Sequence, residues 1–205
     1  MRNSDEIETP RGPARIATDL PAGPLGALLV LGHGAGGDVD APDLLAVRDA
    51  VLGAGVGVIR VTQPYRVAGR RAPAPAAQLD EAWTAVLATL RARHPDVSSW
   101  VVGGRSSGAR VACRTATAAG AAGIVALAFP LHPPGRPERS RADELRTGLP
   151  TLVVNGDRDP FGVPEPGPGV EVATRPGERH DLRRDPAGTA AVVHDWLCAH
   201  GWTIH

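Results

Sequence analysis

The chain has 205 residues, with 22 basic and 22 acidic side chains that give zero formal net charge, and 42% of its residues are hydrophobic. That length fits one compact domain, residues 1–205, with a core large enough to need no staples, and the balanced charge argues against nucleic acid or an acidic membrane surface as a partner. The opening MRNSDEIETPRG is charged, and no apolar run approaches the ~20 residues of a membrane span, so a cytoplasmic protein is expected.

The first five residues are expected to be flexible. EIET (6–9) and ARIATDL (14–20) form a candidate antiparallel edge hairpin, followed by a strand at ALLVLG (27–32) and a helix over 42–54. VGVIRV (56–61) predicts the next strand and RVAGRRAPAPAA (66–77) a Pro-rich loop. A helix over 78–93 places Leu79, Trp83, Val86, Leu87 and Leu90 on one stripe. SWVVGG (99–104) reads as a strand, 107–119 as a helix and IVALAF (124–129) as a strand. A second Pro-rich loop (130–140) and a helix over 138–147 follow. The chain closes with strands TLVVNG (151–156) and VEVATR (170–175), separated by the loop PFGVPEPGPG (160–169), and a helix over 187–199. Apolar runs without alternation indicate strands covered on both faces. Strands alternating with helices indicate an α/β fold around a mainly parallel, doubly wound sheet. All three Pro-rich loops leave C-terminal strand ends, the edge where such sheets place their ligands.

Chemistry concentrates at that edge. In GGRSSG (103–108), Ser106 lies between Gly104 and Gly108 on a strand-to-helix turn, where small flanks allow strand and helix to pass closely. Ser107 lacks such flanks. A serine hydroxyl needs a base within hydrogen-bond reach, and His180, in the loop between the last strand and the last helix, is the candidate. An acid must orient that imidazole: Asp159 in NGDRDPFG is favoured, with Asp157 the alternative. The order Ser, Asp, His along the chain differs from both common protease orders. LGHGAGG (31–37) is the candidate oxyanion loop, with N–H groups of Gly34 and Ala35 joining that of Ser107, and His33 bracing the loop. No phosphate-binding glycine motif is present.

Every basic residue is Arg, and Ala, Gly and Pro are abundant, a bias that fits a GC-rich bacterial genome. Arg66, Arg70, Arg71 and Arg105 are candidates to receive a substrate carboxylate or phosphate, or are solvated loop charges. His132 either lines the pocket or caps its loop. Cys113 and Cys198 have neither disulfide nor metal-ligand spacing and are assigned no role.

Taken together, LGHGAGG, QPYRVAGRR, GGRSSGAR, FPLHPPG, PTLVVNGDRDPFG and GERHDL resemble the α/β-hydrolase superfamily. Within it they resemble the small, lid-poor branch similar to dienelactone hydrolases. More narrowly, they are similar to the family grouped with a testis-expressed protein and a histone-acetyltransferase-complex subunit. The resemblance covers about residues 6–200 and implies an α/β-hydrolase fold with little or no lid and a Ser106–Asp159–His180 triad. Ser106 stands where dienelactone hydrolases use cysteine, so the lactone substrate is not carried over. The expected activity is cleavage of a small ester or thioester through an acyl-enzyme on Ser106, with a small-molecule acyl substrate and no cofactor or metal. The chain is expected to be a monomer or small homo-oligomer. The alternatives are acyl transfer by the same residues and a non-catalytic binding or scaffold protein that keeps the fold.

Overall fold

A computed structural model describes residues 4–204. Its frame is an eight-stranded sheet, in chain order β1 (Ser4–Ile7), β2 (Ala14–Asp19), β3 (Ala27–Gly32), β4 (Val56–Thr62), β5 (Ser99–Arg105), β6 (Gly123–Leu127), β7 (Thr151–Gly156) and β8 (Val170–Arg175). Across the sheet they run β1-β2-β4-β3-β5-β6-β7-β8. The pairs β1–β2 and β2–β4 are antiparallel, and β3 to β8 are parallel to their neighbours. The edge hairpin forms in the register Glu6↔Arg15 and Ile7↔Ala14. Residues 1–3 of the segment expected to be flexible lie outside the described residues. Ser4 and Asp5 already belong to β1, because their backbones pair with Ala17 and Ile16.

Four helices of two or more turns cover the sheet: α1 (Pro42–Leu52), α3 (Ala76–Arg93), α4 (Ser107–Thr115) and α5 (Pro186–Ala199). The two-residue period of the strands divides the core between their faces. On β3, Leu28 and Val30 join Trp83, Val86 and Leu90 of α3 and Val111 of α4. Ala27, Leu29 and Leu31 join Leu44, Val47 and Val51 of α1 and Val193 and Leu197 of α5. Every residue of β3 is buried, as expected for a parallel strand covered on both sides. Proline begins α1 and α5, and Asp185 caps α5 by accepting the Gly188 N–H at 2.9 Å.

Two elements differ in kind from the sequence reading, and the helix expected over 107–119 ends at Thr115. The helix expected over 138–147 is a single 3-10 turn, Ala142–Leu145, whose only buried residue is Leu145. A segment so polar has no apolar stripe to bury, and Gly148 follows it. The start of the first Pro-rich loop, with the two residues before it, winds into a short helix, α2 (Pro64–Val67), begun by Pro64. The 128–150 connection carries no further helix, so among the described residues no helical lid lies over the strand ends. Among the described residues no helix is long and apolar enough to cross a membrane.

The tightest contact in the frame is where α4 leaves β5 and crosses the end of β3. A Cβ on Gly108 would lie 2.4 Å from the Gly32 carbonyl oxygen, and one on Gly104 would also lie 2.4 Å from it. Both obstacles are backbone, which cannot swing aside. Gly108→Ala is expected to destabilise the protein by roughly 1–3 kcal/mol. Gly53→Ala, at an open site with φ −64°, should be neutral or slightly stabilising. Urea unfolding midpoints compare the two, and equal midpoints would contradict the steric argument.

Candidate active site

Ser106 is held at the C-terminal end of β5 with φ 52° and ψ −109°, a conformation that costs a non-glycine residue on the order of 1–3 kcal/mol. Its own N–H donates to the Leu127 carbonyl at 2.9 Å, which fixes the turn to the end of β6. The hydroxyl is thereby turned out of the sheet edge. His180 Nε2 lies 2.9 Å from Ser106 Oγ, and His180 Nδ1 lies 2.8 Å from Asp159 Oδ2. The Asp159 side chain is fully buried, whereas the His180 side chain is 20% exposed. The structure therefore brings Ser106, His180 and Asp159 into one continuous hydrogen-bonded row. Asp157 stands apart from it, with Oδ1 accepting the Gly177 N–H at 2.7 Å.

Three residues not singled out in the sequence support this row. Asn155, fully buried in β7, accepts the Phe129 N–H through Oδ1 (2.8 Å) and donates to the carbonyls of Phe129 and Gly162 (3.0 Å each). It clasps the end of β6 to the loop that carries Asp159. Phe161 donates its N–H to Asp159 Oδ1 at 2.8 Å and sets its ring against His180, with centroids 4.1 Å apart. Glu178 is buried and accepts the N–H groups of Arg184 and Asp185, closing the far side of the His180 loop. Nothing in the sequence around Asn155 or Glu178 signals their burial, which only the fold reveals.

The 33–37 loop faces Ser106 from the other side. A Cβ placed on Gly34 would lie 3.5 Å from Ser106 Cβ. Ser107 is the first residue of α4, so its N–H has no acceptor within the helix. His33 Nε2 accepts the Gln63 N–H at 3.1 Å, and since that group can only donate, Nδ1 carries the proton and donates to the Gly34 carbonyl at 2.8 Å. The Gly37 N–H donates to the same carbonyl at 3.0 Å. In a trans peptide the following N–H points the opposite way, so this double clasp fixes the direction of the Ala35 N–H. His33 thus braces the loop, as its place in the sequence suggests.

Of the arginines, Arg66 donates to the carbonyls of Gly37 and Arg70, while Arg70 and Arg71 are exposed. Arg105 is turned inward, with Nη2 donating to the His180 carbonyl at 3.1 Å and Nε 3.1 Å from Asp43 Oδ2. Its guanidinium is engaged by the protein, and the side chain stays 16% exposed. His132 Nδ1 donates to the Pro133 carbonyl at 2.9 Å and its ring rests against Gly162, the loop-capping arrangement. An open hollow of about 380 Å³ lies between the 36–43 segment, Arg105, Asp181 and Arg183. Among the described residues no group of three or more His, Cys, Asp or Glu is arranged to hold a metal ion.

Residues 26–174 match the family model described as an alpha/beta hydrolase domain. The chain belongs to this family. The fold of this α/β hydrolase recurs in solved structures of low sequence identity. An α/β serine hydrolase without lid from Xanthomonas campestris is 21% identical and superposes with a TM-score of 0.80, covering 98% of this chain and 95% of that one. Est1E from Butyrivibrio proteoclasticus (16%, TM-score 0.76) is covered over 96% and 98% of the two chains. Dienelactone hydrolase from Anabaena variabilis (15%, TM-score 0.75) is covered over 100% and 99%. No curated protein sequence matches.

Burial is the main cause that lowers the His33 pKa from 6.5, with the Arg66 charge adding to it, while the Gly34 carbonyl and Asp38 oppose the shift. Below about pH 6.5 the unfolded chain takes up a proton that folded His33 refuses. Stability present above that pH is then lost on acidification, with a slope of up to about 1.4 kcal/mol per pH unit. His33→Gln, which keeps a donor and an acceptor without titrating, should lose less stability between about pH 6.5 and pH 5 in urea unfolding. Parallel curves for the two proteins would rule out His33 as the titrating group.

Proposed function

We propose that this α/β hydrolase is a serine esterase or thioesterase acting on small acyl substrates. The observation that carries the reading is the unbroken row Ser106 Oγ–His180–Asp159, with contacts of 2.9 and 2.8 Å, on a strained turn at the C-terminal sheet edge. Geometry of this kind lets an imidazole take the hydroxyl proton as the oxygen attacks, while the buried carboxylate holds the ring in one tautomer and stabilises its cation.

In the proposed cycle Ser106 Oγ attacks the acyl carbon and its proton passes to His180 Nε2. The N–H groups of Ser107 and of the Gly34–Ala35 turn hold the oxyanion. The leaving alcohol or thiol departs with the proton from Nε2. Water then attacks the acyl-enzyme, giving a proton to Nε2, and that proton returns to Ser106 as the acid is released. Transfer to an alcohol or amine would use the same residues and replace only the water. The open strand ends and the absence of a lid-sized insertion favour a short acyl group or one that extends into solvent. An apolar hollow of about 670 Å³ among Leu131, Leu145, Pro166 and Val170 contains none of the proposed catalytic residues, and it is the feature that favours a binding role as the second reading.

A fluorophosphonate probe followed by intact-mass measurement should add one adduct to the wild type and none to Ser106→Ala or His180→Ala. With a cleaved short ester, Ser106→Ala should lower kcat by about 10⁴–10⁶-fold. Asp159→Asn should lower it by about 10⁴-fold, whereas Asp157→Asn should stay within about threefold of wild type, because that carboxylate only meets a backbone N–H. A folded wild-type protein that takes no adduct would overturn this reading in favour of the binding role. Comparable losses at Asp157 and Asp159 would overturn the acid assignment.

A further inference from the structure

Arg105 directly precedes Ser106, and its guanidinium is turned inward onto the protein. Three directions of the planar fork are used. Nε faces the Asp43 carboxylate at 3.1 Å. Nη2 donates to the backbone carbonyl of His180 at 3.1 Å. Nη1 lies 3.1 Å from where a Gly34 Cβ would stand, against the oxyanion loop. One side chain thus touches the segment carrying the base and the segment facing the oxyanion, from a backbone adjacent to the nucleophile.

Asp43 is what holds that fork in place. It lies in the first turn of α1, its side chain is fully buried, and Arg105 is the one cation within ion-pair distance of it among the described residues. Neither Asp43 oxygen has a well-aligned side-chain hydrogen bond, and the Arg105 Nε contact is likewise off the hydrogen-bond axis. The pair is held by charge and by packing. Burial pushes the Asp43 carboxyl up, and the nearby Arg105 charge is the largest influence opposing it. A carboxylate buried so completely is strongly destabilising without its counter-ion, so the Asp43–Arg105 pair has reason to persist.

We infer that Arg105, anchored by Asp43, is a positioning residue that sets the His180 loop and the 34–37 loop around Ser106. The inference rests on the serine-hydrolase reading above and adds to it a residue that acts through His180. His180 follows the edge strand β8 on a loop, so the sheet alone does not fix its backbone. The hydrogen bond from Arg105 falls on the carbonyl of that same residue. Misplacing a reacting group by about 1 Å can cost on the order of 10²-fold in rate. Lysine has no planar fork and cannot address three directions at once.

The test compares Arg105→Met, Arg105→Lys, Asp43→Asn and the double variant Asp43→Asn/Arg105→Met. For both single Arg105 variants, kcat and the rate of fluorophosphonate labelling should fall about 30- to 100-fold while KM stays within about threefold. Removing Arg105 alone strands a buried charge and is expected to lower the melting temperature. The double variant removes that charge, so its stability should recover while kcat stays as low as in Arg105→Met. Recovery of kcat together with stability would overturn the inference, as would a rise in KM at unchanged kcat, which would make Arg105 a substrate contact. A readout free of turnover is the downfield NMR proton of the His180–Asp159 hydrogen bond. It should be sharp in the wild type and shifted or broadened in the double variant. An unchanged resonance overturns positioning whether or not the protein cleaves esters. A wild type that shows the resonance but takes no fluorophosphonate overturns the hydrolase reading separately.

Discussion

The backbone of α4 passes the backbone of β3 with no room for a side chain between them. Gly104 and Gly108 both abut the Gly32 carbonyl, and a Cβ on either would lie 2.4 Å from its oxygen. This contact forces Ser106 into its positive-φ turn and lifts its hydroxyl clear of the sheet edge. The strain persists because the surroundings over-determine it. The Ser106 N–H is tied to Leu127, the next residues of that chain segment are clasped by Asn155, and Asn155 also holds the loop that presents Asp159. Ser106 and Asp159 are therefore positioned by one connected set of strand ends.

His180 is held differently. Its loop follows β8, a strand at the edge of the sheet whose residues are only partly buried, so the sheet alone cannot fix it. The loop is instead braced from several sides by polar and aromatic groups. Glu178 closes one end, the Phe161 ring covers the imidazole, and Arg105 reaches its backbone carbonyl. Each brace comes from a different part of the chain. The geometry between His180 and Ser106 is thus a sum of distant contacts, unlike the local geometry of the serine turn.

That difference explains what could be read from the sequence. The strands were legible because apolar runs of the right length are local, and α1, α3, α4 and α5 because their apolar spacing or end signals are local too. The serine turn was legible because its glycines sit two residues to either side, and His180 and Asp159 because each follows a recognisable strand. Asn155, Glu178 and Asp43 were not, since a buried polar side chain acquires its meaning only from a partner far away in sequence. The 138–147 segment misled for the reverse reason: residues of good helix propensity lacked a stripe to bury, and tertiary demand prevailed over propensity.

The arginines show how composition can mislead about function. With no lysine in the chain, arginine carries every cationic task, and most of those resolved here are architectural. Arg60 is buried within β4 and paired with Asp19 and Asp40, Arg110 and Arg114 grip Glu144 and Asp80 beside α4, and Arg66 and Arg141 hold backbone carbonyls of the loops. A planar fork suits such work because it satisfies two or three acceptors from one side chain. The abundance of arginine near the site therefore gives no reason to expect an anionic substrate. Arg105 follows the same architectural habit, at a position where the architecture it supports is the geometry of the proposed reaction.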